Sequence, residues 1–230
     1  GAPHPSRRLE RAGAEAGGVS WEGAEPLLAR LERWRPAGWI EHAGGGLQVC
    51  HVPEEGDQAY LHTLYPGLSE DRLAQTEAAY DRQLPAEYRR FLGWANGADF
   101  FRCLRLNGSH IRGTDREQIG RSGAGVGQTI SLDYGNQFGW PAGAPYSAWI
   151  LGTVSGWSGQ GYLLVRQDGG VTLCSKTDAT DVAASWDSFS QMLFGEFDRM
   201  AGLVGDRGER LAPHEQFLPE LARRWEKPKV

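Results

Sequence analysis

The sequence has few of the features that mark membrane-bound and secreted proteins. No apolar run approaches the roughly eighteen residues that a membrane-spanning helix needs, so we expect no membrane association. Residues 1–18 contain arginines but no apolar stretch, and we therefore expect no secretory signal there. The three cysteines, Cys50, Cys103 and Cys174, are widely spaced, which favours reduced, buried thiols over a disulfide framework. Together these absences predict a cytoplasmic protein.

The sequence also lacks groupings of residues typical of catalysis or of cofactor and metal binding. No two of the six histidines have the spacing of a helical or finger-type metal site, and no Cys-x-x-Cys occurs. Gly123–Gly127 has the wrong spacing for a dinucleotide loop, and Gly156–Gln160 lacks the second framing glycine of a nucleophile elbow. We therefore predict no enzymatic activity and no catalytic, cofactor-binding or metal-binding residue.

The charge of the chain argues against a nucleic-acid-binding protein. With 24 basic and 29 acidic side chains the net charge is −5, so the basic excess that nucleic-acid binding requires is missing. The charge is unevenly placed, because residues 49–81 carry seven acids and one arginine. Such an acidic stretch favours a partner that is itself basic.

The chain is rich in apolar and aromatic residues, which make up 40% and 10% of it, and this predicts a well-packed core. Residues 1–18 lack apolar periodicity and are predicted to be a disordered tail, residues 19–204 form one domain, and residues 205–230 are a C-terminal extension. Within the extension, Pro213–Lys227 is a candidate peripheral helix. Helices come first, then strands joined by short turns, then a closing helix. This order predicts an α+β fold with a mostly antiparallel sheet and helices on one face.

The segment 84–97 is a short amphipathic helix with a readable start and stop. A proline suits its first position, apolar residues recur at intervals of three and four, and Asn-Gly accepts the left-handed conformation of a helix C-cap. The residues that carry this pattern are Leu84, Pro85, Tyr88, Phe91, Leu92, Asn96 and Gly97.

Other local signals complete the predicted elements. Ser69 and Ser185 are expected to be the N-caps of two more helices, and Asn107-Gly108 is a two-residue hairpin signal. The predicted strands beyond residue 128 are Thr129–Tyr134, Ala148–Val154, Gly161–Arg166 and Val171–Cys174.

The segment 84–97 resembles the signature of the SUKH superfamily, which includes yeast cell-wall-assembly regulators and many bacterial toxin-immunity proteins. Two further blocks, Ile150–Val171 and Ala184–Phe189, follow in the order that the superfamily shows. The resemblance runs from near Trp21 to about Val204. It implies an α+β domain with a curved, mainly antiparallel sheet and a role as a binding protein. The long loop Gly135–Ser147 and the tail after Gly205 depart from the superfamily's pattern.

Five residues are candidates for contact with a partner. Trp140 and Trp157 lie in loops rich in Gly and Pro without apolar periodicity, and loop aromatics often anchor interfaces. Glu54, Glu55 and Asp57 lie in the acidic stretch. The leading hypothesis is a cytoplasmic immunity protein that blocks a basic toxin domain of nuclease or deaminase type. The alternatives are a regulatory scaffold or small-ligand-binding module, and an enzyme of unknown type.

Overall fold

The computed structural model of the 230-residue chain describes residues 20–42, 45–57, 59–109, 132–154 and 161–225. The α-helices are α1 (Ala24–Leu31), α2 (Glu70–Tyr80), α3 (Ala86–Trp94), α4 (Leu132–Phe138) and α5 (Phe189–Ala201). The strands are β1 (Trp39–Glu41), β2 (Leu47–His51), β3 (Tyr60–Pro66), β4 (Ala95–Phe100), β5 (Leu104–Leu106), β6 (Trp149–Val154), β7 (Gly161–Val165), β8 (Val171–Ser175) and β9 (Val182–Trp186). Short 3-10 helices cover Glu32–Ala37, Pro53–Glu55, His214–Phe217 and Glu220–Trp225.

The strands of the described residues form one sheet in which spatial order equals chain order. Every neighbouring pair from β1 to β9 is antiparallel, and the sheet does not close. The helices interrupt this simple order twice, because α2 and α3 lie between β3 and β4, and α4 lies between β5 and β6. The predicted α+β class with a mostly antiparallel sheet is confirmed.

The core lies on both faces of the sheet, and the larger part lies on the face with α1, α3 and α5. Alternation along β7 shows the two faces, because Leu163 and Val165 belong to the larger cluster while Tyr162 and Leu164 belong to a smaller one. Trp140 packs against this smaller cluster. The short helix α4 reaches both clusters, because Leu132 is buried in the larger one and a Cβ at Gly135 would lie 2.8 Å from Ile150 of the smaller one.

The signature helix begins where the sequence predicts but ends earlier. Pro85 precedes α3, and Tyr88, Phe91 and Leu92 are fully buried on its inner face. The predicted C-cap at Asn96-Gly97 is wrong, because both residues lie inside β4. The Asn96 side chain accepts a hydrogen bond from the Ser109 amide (2.7 Å) and donates one to the Ser109 carbonyl (3.1 Å). Asn96 therefore joins β4 to the segment after β5.

Three other local predictions are corrected by long-range pairing. Ser69 caps α2 as predicted, but the cap of α5 is Ser188, whose hydroxyl accepts from the Gln191 amide, and Ser185 lies in β9. No hairpin turns at Asn107-Gly108, because β5 pairs next with β6. Residues 132–134 of the predicted strand Thr129–Tyr134 begin α4, and residues 129–131 lie outside the described residues.

The C-terminal extension packs into the same core as the domain. Phe217, Leu218 and Ala222 are buried in the larger cluster, and Trp225 donates its indole N–H to Asp181 at 2.6 Å. The candidate peripheral helix Pro213–Lys227 is replaced in the described residues by the two 3-10 helices. The predicted disordered tail 1–18 lies outside the described residues.

One buried histidine stands in the centre of the larger cluster. His62 on β3 is 1% exposed, and its ring lies 4.8 Å from that of Trp34, 4.6 Å from Phe101 and 5.4 Å from Phe197. Neither ring nitrogen has a hydrogen-bond partner among the described residues. Removal from water lowers the pKa of His62 to about 3, so the ring is neutral in the folded protein.

Gly97 provides a first test of the sheet geometry. Its φ is +87°, and an added Cβ would lie 2.7 Å from the Leu106 carbonyl oxygen and 2.9 Å from the Gly108 nitrogen. We expect Gly97→Ala to lower the free energy of unfolding by about 3 kcal/mol, from positive-φ strain plus backbone overlap. Gly169→Ala is the matched control, because φ is +90° there and nothing lies within 4 Å. Gly169→Ala should lower the free energy of unfolding, measured by denaturant titration, by only about 1 kcal/mol. Equal losses of unfolding free energy in the two variants would contradict the close approach of residues 106–108 to Gly97.

His62 predicts a pH dependence of stability. Its folded pKa lies below the unfolded value, so the unfolded state takes up the proton first and this contribution to stability is lost as pH falls below about 6.5. Between pH 7 and pH 5, His62→Leu should therefore gain about 2 kcal/mol of stability relative to the unmodified protein. Denaturant unfolding at several pH values measures this difference, and His42→Gln serves as the control. Parallel stability profiles for His62→Leu and the unmodified protein would refute the neutral buried ring.

Candidate functional site

A groove of about 960 Å³ lies where residues 33–37, 51–54 and 206–209 meet. One wall is the 3-10 helix Glu32–Ala37, the second is the end of β2 with Pro53–Glu55, and the third is the turn 205–209 after α5. We call this feature the flank groove. Its lining residues are Arg33, Pro36, Ala37, His51, Pro53, Glu54, Asp206, Arg207 and Glu209.

Two neighbouring side chains hold the third wall in place. Arg33 donates to the carbonyl oxygens of Ala201 (2.7 Å) and Val204 (3.0 Å) and pairs with Asp206 at 2.8 Å. Trp34, fully buried, donates its indole N–H to the Gly205 carbonyl at 2.8 Å. These carbonyls lie at and just beyond the end of α5, where a helix leaves acceptors unpaired and where a cation interacts favourably with the helix dipole.

The turn 205–209 packs closely against the end of β2 at Gly208. A Cβ added to Gly208, whose φ is +85°, would lie 2.5 Å from a Val52 methyl carbon and 2.8 Å from the Cys50 sulfur. Cys50 itself has a φ of +60° inside β2. Only a residue without a side chain lets the turn approach this closely.

Two carboxylates from distant parts of the chain act on Cys50, which is fully buried in β2 and does not belong to the groove's lining. The pKa of the Cys50 thiol is raised to about 11, first by burial and then by the negative charges of Glu209 and Glu54. Both carboxylates are exposed, and the Arg207 amide fixes Glu209 with a hydrogen bond of 3.0 Å. Asp57 lies at the rim, where its carbonyl oxygen is 3.0 Å from the His51 ring. The lining has three acids, Glu54, Asp206 and Glu209, against two arginines, Arg33 and Arg207, and Asp57 adds a further negative charge at the rim, so the balance is negative.

Glu55 differs from the other two predicted acidic residues because its charge is compensated. Its carboxylate pairs with Arg102 at 3.0 Å and with Arg210 at 3.6 Å. These ion pairs connect the 3-10 helix Pro53–Glu55 to the turn after β4 and to the C-terminal extension. Glu55 thus supports the second wall of the flank groove instead of presenting a free charge to it.

The predicted aromatic anchor Trp140 lies away from the flank groove and is half-buried. It packs against the smaller core cluster, and its indole N–H donates to the Ala144 carbonyl at 3.3 Å. The guanidinium of Arg82 lies over the rings of Trp140 (5.2 Å) and Tyr146 (5.3 Å). Tyr146, which is 74% exposed, is the aromatic residue of this loop that faces solvent. Trp157 lies outside the described residues.

A second polar site lies on β4 and β5. Asp99 pairs with Arg105 at 3.1 Å across the two strands, while its other carboxylate oxygen is buried without a partner. Burial raises the pKa of Asp99 to about 6, although Arg105 and Arg102 oppose the shift. The arrangement is an ion pair within the sheet, and the Asp99 charge also reaches Tyr65, because burial and then Asp99 raise the pKa of the Tyr65 phenol.

The described residues contain no group of three His, Cys, Asp or Glu side chains that could hold a metal ion. Within the same ranges, no helix is both long enough and apolar enough to cross a membrane.

Fold and groove together define a class: an open antiparallel α+β scaffold with a charged groove built by its two flanks. A family model described as the SMI1 / KNR4 family (SUKH-1) matches residues 67–195, which is more than half of the chain. The chain therefore belongs to the SMI1 / KNR4 family, as the SUKH resemblance predicts. A comparison with curated proteins finds no match.

Of the five predicted contact residues, the structure brings Glu54 and Asp57 to the flank groove and its rim. Sequence reasoning missed the residues that complete the groove: Arg33, Asp206, Arg207 and Glu209. The increase in charge and glycine after Gly205 is the one signal that marks this turn in the sequence.

Arg33→Met should loosen the third wall. It removes two hydrogen bonds to carbonyls at the end of α5 and one ion pair, so we expect a loss of about 1–2 kcal/mol and faster amide exchange at residues 203–211. Arg30→Met is the matched control, because Arg30 also pairs with an acid, Asp198, and also covers an aromatic ring. It should leave exchange at residues 203–211 unchanged, and equal exchange in both variants would argue against the role of Arg33.

Proposed function

We propose that this protein is a non-catalytic immunity protein, cytoplasmic and of the bacterial type, that binds a basic toxin domain through the flank groove. Family membership supports a binding role of this kind. The toxin would be of nuclease or deaminase type, as with immunity proteins of the SUKH superfamily.

The observation that carries the proposal is the position of the groove relative to the family core. Its lining residues belong to residues 33–54 and 206–209, all outside the matched range 67–195. The groove is thus formed by segments that the match to the family model does not cover. A protein that must recognise one cognate partner needs such an individual surface, because specificity is a difference between affinities for competing partners.

The chemistry of the lining favours a protein partner over a small molecule. Small-molecule pockets are lined mainly by apolar and aromatic side chains. Here the lining is charged, and its apolar members are only Pro36, Ala37 and Pro53. Negative charge at Glu54, Glu209 and Asp57 would steer a basic domain toward the groove and raise the rate of encounter.

The alternative is a regulatory scaffold or a small-ligand-binding module of the same family. The volume of the groove, about 960 Å³, lies within the range of small-ligand pockets and supports this second candidate. A small-molecule ligand would raise the melting temperature of the protein in the absence of any partner protein.

Co-expression tests the proposal. The protein should rescue growth of cells that express the toxin-like product of the neighbouring gene and should co-purify with it. Glu54→Lys combined with Glu209→Lys should abolish rescue and weaken binding at least about tenfold, because the two introduced lysines would repel a basic partner.

Glu22→Lys is the matched control, since Glu22 is exposed and lies outside the flank groove. It should retain rescue. Absence of both rescue and co-purification for the unmodified protein would count against the immunity role, and full rescue by the double variant would count against the groove.

A further inference from the structure

We propose that the flank groove opens in acid, because His62 takes up a proton whenever Trp34 leaves the aromatic cluster, and the cluster cannot close again over a charged ring. This is a conformational property of the fold and goes beyond the proposed function. Release of a bound partner in acid would be its consequence, and that consequence alone rests on the proposed function.

Trp34 connects His62 to the third wall of the flank groove. Its ring lies 4.8 Å from the His62 ring, and its indole N–H donates to the Gly205 carbonyl at 2.8 Å. Trp34 is fully buried and His62 is 1% exposed. A movement of Trp34 out of the cluster therefore admits water to His62 and at the same time removes a hydrogen bond from the turn 205–209.

The closed cluster has no group that stabilises a protonated His62 ring. The neighbouring rings lack hydrogen-bond acceptors and are Trp34, Phe100, Phe101 and Phe197. Among the described residues, neither nitrogen of His62 has a hydrogen-bond partner. An imidazolium in this place would be a buried, unpaired charge, and the attraction of aromatic faces for a cation is small beside that cost. Protonation of His62 and closure of the cluster therefore exclude each other.

Charged residues on the elements packed around His62 are directed to other partners within the described part of the chain. Their ion pairs are Arg33–Asp206, Arg35–Glu32, Arg102–Glu55, Arg105–Asp99, Arg199–Glu196 and Arg30–Asp198. On β2, the Cys50 thiol stays uncharged because burial raises its pKa to about 11. Burial is the cause of the lowered pKa of His62, so removal from water decides its charge.

The third wall has the features of a segment that opens by itself. The turn 205–209 belongs to no helix or strand, and the ion pair with Arg33 leaves the Asp206 side chain 79% exposed. Exposed ion pairs contribute little to stability, and segments outside the regular elements open at a lower free energy than interior strands. We therefore expect this wall to open without global unfolding.

The proton makes this opening depend on pH. An exposed histidine has a pKa near 6.5, whereas the closed cluster lowers the pKa of His62 to about 3. The open form therefore binds the proton first as pH falls below about 6.5. For one proton, the equilibrium constant of opening should rise about 25-fold between pH 7 and pH 5.

Hydrogen exchange of indole N–H groups, followed by NMR on the full chain, tests this inference without a partner. The Trp34 indole N–H reports on the flank, and that of Trp149, which donates to the Gln83 carbonyl at 2.9 Å, is the reference in the same spectrum. After correction for intrinsic exchange, the opening constant at Trp34 should exceed that at Trp149 at both pH values and rise about 25-fold in acid. His62→Leu should reduce the rise to about twofold or less, and His42→Gln should retain it.

Three results would overturn the inference: no rise at Trp34 in acid, an equal rise in His62→Leu, or equal opening constants at Trp34 and Trp149, which would show that the flank opens only with global unfolding. The comparison of the two indoles in the unmodified protein holds even if His62→Leu does not fold. Because the test uses no partner, its failure would leave the immunity role standing, and failure of growth rescue would leave the acid opening standing.

Discussion

The hydrogen bonds from Arg33 and Trp34 to the backbone beyond α5 are the contacts on which the flank groove depends. A helix end leaves carbonyl acceptors unpaired, and here a guanidinium and an indole from the other end of the described chain supply the donors. The same contacts place the turn 205–209 against β2, where Gly208 permits close packing on Cys50. These three hydrogen bonds therefore satisfy carbonyl acceptors at and beyond the end of one helix, α5, and hold a wall of the groove in place.

This arrangement separates the scaffold from its recognition surface. The family core, residues 67–195, supplies α2, α3, most of the sheet and much of α5. The flanks supply the groove, and they are tied to each other as well as to the core. Because Arg33 and Trp34 hold the third wall through backbone carbonyls, lining residues other than Arg33 can change without loss of these hydrogen bonds. A scaffold with such a surface suits proteins that each recognise a different partner.

Local signals in the sequence predicted the elements whose determinants are local. Ser69 capped α2, the apolar spacing of Tyr88 and Phe91 located α3, and the apolar run Ala148–Val154 located β6. Asn96-Gly97 was wrongly predicted to be a helix C-cap, because a glycine with positive φ occurs both at helix caps and in strands that another segment approaches closely. Here the approaching segment is residues 106–108. Only the tertiary pairing of β4 with β5 decides between them.

The candidate site was less accessible to sequence reasoning for a physical reason. Glu54 and Asp57 could be picked out because they lie in an acidic stretch, but the partners of Arg33 are backbone carbonyls 168 and 171 residues away. A backbone acceptor has no residue identity, so no pattern in the sequence reveals it. Glu55 shows the converse, since the acidic stretch made it a candidate for contact with a basic partner while Arg102 and Arg210 compensate its charge.

Hydrogen exchange of the protein mixed with its cognate toxin domain tests the central claim most directly. If the flanks form the recognition surface, protection should rise at residues 33–37, 51–55 and 205–209 and stay unchanged at residues 139–148. Protection confined to residues 139–148, with the flank segments unaffected, would contradict the account.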